Sequence, residues 1–435
     1  MNTKGRNWER LILDAAPPVK ELGSLAVGDL DGDGHVEVVL GGDGGLLWYR
    51  PATFEHGLIT EGHLNVGLAL EDLDGDGVVE VVTARERTIL WFKPGADLHQ
   101  PWAWHTIDSA CNGGAHDLLF CDVDGDGARE LLANAAYCEV PGVFIYKPGM
   151  DLSALWHKHT VSTGIFSEGL GAGDLDGDGR IEIVHGPDWF TPPPAGPFSG
   201  LWQRTVVAPS FREMCRTALV DITGNGRYDV VIVESEYPDG RMSWFENRLV
   251  EDAENPWVEH EMGGRLESLS HTGRLESLPH TGRWNFAHSL GAWREAGSGQ
   301  VHVFVAEMAA GGWNQPYNWD ARLVEYTTAD GGKTWRERLI DRETLSIRAR
   351  PPPPPGPRQA LHGDGHHGGR RGWRWVARRG VRRVVVQEPH LGALRRPGRL
   401  PGAQHVRPGW RWTRRVHRHQ TVAGRYAGQL VHRVR

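Results

Sequence analysis

The sequence predicts an all-β protein whose short strands form repeated four-stranded units packed around an axis, a β-propeller. Three observations lead there. An acidic nonapeptide recurs along the chain, and each copy runs into the same succession of apolar strands. The composition is also rich in turn formers and tryptophan, with 57 Gly, 27 Pro and 19 Trp in 435 residues. It argues against a helical bundle, a coiled coil or collagen.

The nonapeptide appears as Asp29-Leu-Asp-Gly-Asp-Gly-His-Val-Glu37 and Asp72-Leu-Asp-Gly-Asp-Gly-Val-Val-Glu80. It returns as Asp122-Val-Asp-Gly-Asp-Gly-Ala-Arg-Glu130 and Asp174-Leu-Asp-Gly-Asp-Gly-Arg-Ile-Glu182, with a decayed copy from Asp221 to Asp229. The first aspartates lie 43, 50, 52 and 47 residues apart. An apolar strand follows each copy, such as Val38-Val-Leu40 or Val230-Val-Ile-Val233. A second strand has a shared ending: Trp48-Tyr-Arg-Pro51, Trp91-Phe-Lys-Pro94, Ile145-Tyr-Lys-Pro148 and Trp244-Phe-Glu-Asn247. A third element opens on tryptophan at Trp104, Trp156, Trp202, Trp257 and Trp335. A unit of this length matches one four-stranded blade, which cannot bury both faces of its sheet alone and must pack against copies of itself. A sixth unit keeps the strands without the acidic loop, at Ala287–Leu290, Val301–Val305 and Ala321–Tyr326.

The loops are predicted to bind a hard cation. Asp at positions 1, 3 and 5 with Glu at 9 brings carboxylate oxygens around one point, and such ligands suit Ca²⁺, with Mg²⁺ as the alternative ion. The predicted ligands are Asp29, Asp31, Asp33 and Glu37; Asp72, Asp74, Asp76 and Glu80; Asp122, Asp124, Asp126 and Glu130; Asp174, Asp176, Asp178 and Glu182; and, in the decayed copy, Asp221 and Asp229. An EF-hand would carry Glu at position 12, where this chain has Leu40, Thr83, Ala133, His185 and Ile232, so that reading fails. An ordinary Asp-Gly turn is the competing reading of any single copy.

These loops and strands resemble the FG-GAP/VCBS repeats of integrin-type β-propellers over about residues 20–345. The resemblance implies a seven-bladed propeller, with eight as the alternative count, calcium in the blade loops and a place outside the cytoplasm. The stretch Glu307-Met-Ala-Ala-Gly-Gly-Trp-Asn-Gln-Pro-Tyr-Asn-Trp319 is similar to the propeller domain of aldos-2-ulose dehydratase and its relatives, which are sugar-dehydrating lyases. No cupin region of that family is visible.

The chain divides into residues 1–345, the propeller, and 346–435, a Pro/Arg-rich tail. From Arg348 to Arg435 there are 21 Arg, no Lys and two acids, a balance of +19, whereas the preceding residues carry −26. A basic tail ordinarily indicates nucleic acid, but no nucleic-acid partner is expected here, because the tail reads as an out-of-frame or disordered segment. Val-Asp-Gly-Asp-Gly codons read two nucleotides late give Gly-Trp-Arg-Trp, and that tetrapeptide occurs at Gly372–Trp375 and Gly409–Trp412. A frameshift between about Ile340 and Arg358 would have cost the last blades, leaving about six units and an unclosed ring with a tail unable to form strands. A nearby tandem copy, Gly264–Thr272 and Gly273–Thr281, looks like a short in-frame duplication.

Counting back six residues from the first Asp of a loop gives His116 and Glu168. Aligning Ala115-His-Asp-Leu118 with Ala287-His-Ser-Leu290 adds His288, and the fifth unit has Cys215 beside Arg216. Equivalent positions in successive blades ring the axis, so His116, Glu168, Arg216 and His288 form a candidate acid–base set. The same side chains would also serve as hydrogen-bonded filling of a narrow channel. His185, Asp188, Trp189, Trp313 and Trp319, on Pro- and Gly-punctuated loops, are candidate substrate contacts, their aromatic faces suited to sugar rings, and Glu234-Ser-Glu236 is a further polar candidate.

Two functions follow from different classes. One is a calcium-binding propeller presenting a face to a carbohydrate or protein ligand. The alternative is a sugar lyase or dehydratase that abstracts a proton next to a carbonyl or carboxylate. No serine-hydrolase elbow, zincin motif or phosphate loop appears. No apolar run is long enough for a membrane span, and the start Met1–Arg10 has no apolar signal segment. The four cysteines are too few for a disulfide framework.

Overall fold

The computed structural model describes residues 8–342, apart from 112–113, 137–139, 263–264, 270–274, 280–282, 309–317 and 319–320, together with 431–434. Within these residues the regular structure is β-sheet, and none of it is helical. No helix here is long and apolar enough to cross a membrane.

Each acidic nonapeptide is the turn between the first and second strands of a blade. Blade 1 comprises Lys20–Gly28, Glu37–Asp43, Gly45–Arg50 and Glu55–Thr60, paired antiparallel in sequence order. Blade 2 is Leu68–Glu71, Glu80–Arg85, Thr88–Lys93 and Ala103–Asp108, and blade 3 is Asp117–Cys121, Glu130–Ala135, Gly142–Lys147 and His157–Thr163. Blade 4 is Leu170–Gly173, Glu182–His185, Asp188–Thr191 and Gln203–Val206. Blade 5 is Cys215–Val220, Asp229–Glu234, Met242–Asn247 and Trp257–Glu261. Blade 6 is Ala287–Arg294, Val301–Glu307, Arg322–Thr328 and Arg336–Arg342. First strands of successive blades lie against one another, so they are the innermost. The core sits between blades: Trp48 of blade 1 packs with Val81 and Phe92 of blade 2, and Trp244 of blade 5 with Val303 and Tyr326 of blade 6.

Six blades therefore form among the described residues, which corrects the count of seven or eight. The expected gap between the last and first blades is also spanned. The strand Trp8–Leu11 carries Trp8 against blade 6, its indole Nε1 donating to Glu325 Oε2 at 3.2 Å and its ring meeting Phe304 edge-on at 5.5 Å. Three residues on, Leu11 packs against the blade 1 cluster of Val38, Leu40, Leu47 and Tyr49. Trp8–Leu11 pairs antiparallel with Val431–Val434, so the end of the tail does supply one strand, away from its clustered arginines. The rest of the tail lies outside the described residues.

The duplicated peptide takes up a defined place. Arg265–Leu269 and Leu275–Pro279, one from each copy, pair antiparallel with each other, and the first joins the outer strand of blade 6 in parallel. A copy of a strand-forming sequence thus found its pairing partner in the original.

Candidate functional site

In blades 1 to 5 each inner strand begins at one end of the axis and ends at its acidic loop. The residues six positions before the loops therefore gather at the end opposite the loops. His116 stands just before Asp117–Cys121, Glu168 before Leu170–Gly173, Arg216 within Cys215–Val220 and His288 within Ala287–Arg294, one from each of blades 3 to 6. All four side chains are buried.

They are mutually bonded. Arg216 Nη1 donates to Asp117 Oδ1 at 3.0 Å, and its Nη2 reaches Glu168 Oε2 at 2.8 Å. His116 has Nδ1 3.1 Å from Asp117 Oδ2 and Nε2 3.1 Å from Glu168 Oε1. With a carboxylate at each nitrogen, the ring donates to both only as imidazolium. His288 Nε2 lies 3.3 Å from Glu236 Oε1 and 3.2 Å from Arg216 Nη2. Arg216 only donates, so Nε2 either accepts from it, with the proton on Nδ1, or carries the proton towards Glu236, with the lone pair on Nδ1, which is buried without a hydrogen-bond partner. The two imidazole centroids are 6.2 Å apart. Burial alone raises the Glu168 carboxyl; the charge of Arg216 above all, with that of His116, outweighs it and holds it below the usual carboxylate range.

The sequence did not single out Asp117, Asn134 or Ser235 for this cluster. Asn134 Nδ2 donates to Asp117 Oδ2 at 3.0 Å, and Ser235 Oγ lies 3.0 Å from Glu168 Oε2. Asp117 follows His116 in the chain and Asn134 is its cross-strand partner, while Glu234-Ser-Glu236 stood among the polar candidates without a link to the axial ring. Glu236 has a φ of 63°, a left-handed conformation uncommon for this residue. Gly169, at φ 77°, donates its amide to Asp117 Oδ2 at 3.1 Å, and a Cβ there would lie 2.9 Å from Arg216 Cα. Only glycine brings the backbone so close to the guanidinium's own chain.

The other predicted contacts divide. His185 Nδ1 is bonded to Gly169 O at 3.0 Å, one peptide from the cluster, and burial lowers its pKa. Asp188 is buried and paired with Arg204 at 2.8 Å. Trp189 is corrected: it is 8% exposed and packs with Cys215, Phe245 and Trp257 in the interblade core. Its register explains why, because Val184↔Trp189 repeats Val39↔Trp48, Val82↔Trp91 and Val231↔Trp244. The ring is thus the blade 4 copy of the core aromatic. Trp313 and Trp319 lie outside the described residues.

In the acidic loops, the first aspartate holds the turn. Asp174 accepts from the amides of Gly177 at 2.7 Å and Gly179 at 3.0 Å, and Asp29, Asp72 and Asp122 repeat the pattern. The ninth-position glutamates, all fully buried, accept through Oε2 from the backbone of Leu30, Leu73, Val123 and Leu175 at 2.7–2.9 Å. Potential ligand atoms of Asp29, Asp31 and Asp33 lie within 4.8 Å of one another, as do those of Asp72, Asp74 and Glu80, of Asp122, Asp124 and Glu130, and of Asp174, Asp176 and Glu182. These all-oxygen sets fit a hard cation. Asp33, Asp76, Asp126 and Asp178 each accept the amide two residues on. The fifth copy gathers no such group: Thr223 and Asn225 replace two acids, and both Asp229 oxygens accept backbone amides, from Ile222, Thr223 and Asn247.

His116, Glu168 and His288 also offer ligand atoms within 4.8 Å of one another. Arg216 already stands between Glu168 and His288, so a cation belonging to the chain occupies that place.

Residues 29–83, spanning the first two acidic loops, match the FG-GAP-like repeat family. No curated protein matches the sequence. Among solved structures, the chain is similar to an Agrocybe aegerita lectin described as recognising non-reducing terminal N-acetylglucosamine, at 13% identity and TM-score 0.46, over 74% of this chain and 81% of that one. An ulvan lyase of polysaccharide lyase family 25 aligns at 12% identity and TM-score 0.40, over 76% and 87%. A rhamnogalacturonan lyase aligns at 12% identity and TM-score 0.36, over 79% and 76%.

Proposed function

We propose that this chain is a calcium-binding β-propeller that acts on a carbohydrate as a carbon–oxygen lyase, with its chemistry at the axial cluster. One observation carries the reading. Two imidazoles, each backed by its own carboxylate, stand beside an anchored guanidinium: His116 with Asp117, His288 with Glu236, and Arg216 within 3.2 Å of His288. An elimination next to a carbonyl or carboxylate needs a base, an acid and a fixed positive charge.

In the proposed step, His288 Nδ1 takes the proton from the carbon beside the carbonyl. The released pair forms a C=C bond, the C–O bond on the next carbon breaks, and the leaving oxygen takes the proton of His116 Nε2, displacing Glu168 from that nitrogen while Asp117 stays on Nδ1. Arg216 stabilises the enolate charge that develops between those events. Asp117 and Glu236 orient the two rings. Calcium held by acidic-loop carboxylates would neutralise charge at the other end of the blades and would take no part in the step.

Binding of a carbohydrate or protein ligand without chemistry is the second reading. It is favoured by the commitment of Arg216 to both Asp117 and Glu168, an arrangement that also fills a channel. The two are separated by incubating the chain with uronate oligosaccharides and 2-keto sugars and following the absorbance of an unsaturated product. Product formation lost in both His116→Ala and His288→Ala, with thermal midpoints retained, is the expected result. Activity that survives both changes removes the axial site, and calorimetric sugar binding without product leaves binding as the function.

A further inference from the structure

We infer that the acidic loops are of two kinds: those of blades 1 to 3 carry their cation within the chain, and that of blade 4 is left open for a divalent ion. The inference rests on the calcium reading above and assigns it to one loop. It begins from a register position two residues after the interblade core position, where blades 1 to 3 have Arg50, Lys93 and Lys147 and blade 4 has Thr191.

In the first three blades the basic side chain folds back over its own loop. Lys93 Nζ lies 2.5 Å from Asp74, 2.7 Å from Asp76 and 3.0 Å from Glu80 Oε1. Lys147 repeats this at 2.5 Å from Asp124, 2.7 Å from Asp126 and 2.9 Å from Glu130 Oε1. Arg50 bonds Asp31 and reaches Glu37 Oε1 at 3.1 Å. In every case the cation sits on the Oε1 oxygen of the ninth-position glutamate, among the carboxylates that a metal would need.

Thr191 has no charge to offer blade 4. Glu182 is 0% exposed, and its Oε1, the oxygen that meets the tethered cation elsewhere, has no hydrogen-bond partner. Arg180 is engaged with Asp178 at 2.6 Å. A buried carboxylate oxygen facing Asp174 and Asp176 with no cation bonded to it, the charge of Arg180 acting only from its place on Asp178, is a ligand awaiting a cation. The other three loops resist a divalent ion, because its charge would have to displace an ammonium or guanidinium already bonded to the same oxygens.

Equilibrium dialysis of the chelator-treated full chain against Ca²⁺ tests this, with circular dichroism to follow folding. One bound ion per chain is expected. Thr191→Lys, which keeps every carboxylate, should reduce it to none, as should Glu182→Gln. Lys93→Met and Lys147→Met should each add one ion. Four bound ions in the unaltered chain, undiminished by Thr191→Lys, would overturn the division while leaving calcium as the ligand. No binding by any folded variant, Lys93→Met included, would overturn both.

Discussion

Arg216 Nη2 stands 2.8 Å from Glu168 Oε2, and the same guanidinium holds Asp117 at 3.0 Å through Nη1. One cation from blade 5 is thus shared by carboxylates from blade 3 and the entry to blade 4. Arg216→Ala would leave both carboxylates buried without it, at a cost of about 3–5 kcal/mol. Denaturant midpoints measure this, and adding Glu168→Gln should recover part of the loss. A midpoint unmoved by Arg216→Ala would show that water reaches the cluster.

Two carboxyls make stability depend on pH in opposite senses. Glu168 is lowered in the fold, so its contribution is full above the ordinary value of 4.5 and fades as the pH falls through about 2. Glu337 of blade 6 is pushed up to about 7 by burial, a rise that outweighs the opposing charge of Arg322. Its contribution is full below the ordinary value of 4.5 and is lost as the pH rises through about 7. Thermal scans of Glu337→Gln across that interval should fall less steeply than those of the unaltered chain.

Gly169→Ala should strain a backbone that sits at φ 77° and push its new Cβ against Thr217 N, 2.5 Å away. The strain amounts to about 1–3 kcal/mol. Because the same Cβ crowds Arg216, any lyase turnover should fall more than the shift in thermal midpoint accounts for.

Trp8→Ala removes the indole that ties the N-terminal strand to blade 6. A loss of about 2 kcal/mol is expected from the apolar area uncovered. The check is urea unfolding, where an unchanged midpoint would mean that the bridge between blades 6 and 1 adds nothing.

The coding DNA of the tail, read in the upstream frame, should regenerate Asp-x-Asp-Gly-Asp-Gly loops opposite Trp373 and Trp410. If that frame contains none, the frameshift is refuted and the basic tail becomes a binding segment in its own right.

Much of the axial cluster was legible from a fixed offset, because residues six before each loop share one end of the inner strands. His116 and Glu168 were found that way, His288 by aligning Ala115-His-Asp-Leu118 with Ala287-His-Ser-Leu290, and Arg216 by its place beside Cys215. Glu236 escaped the count because it follows the second strand of blade 5 and enters the cluster through a left-handed turn. Trp189 was read as a substrate contact on a punctuated loop, and its place in the aromatic register was overlooked. The signal was present: Trp189-Phe-Thr-Pro192 keeps the spacing of Trp48-Tyr-Arg-Pro51 and Trp91-Phe-Lys-Pro94.

By itself, the sequence determined the blade unit and its acidic turns, because Asp spacing and the left-handed glycines act within nine residues. Gly177 and Gly179 take φ of 79° and 87° with open space around them, so backbone conformation alone requires them. Only the tertiary structure decided which loops are neutralised from within, because Arg50, Lys93 and Lys147 reach their carboxylates by strand pairing. It likewise decided that Asp117, Glu168 and Arg216 share one charge. That contact depends on how blades pack side by side, and nothing local encodes the distance between them. Strand pairing likewise decided that six blades form among the described residues, and packing laid a strand from the start of the chain across the last of them and the first.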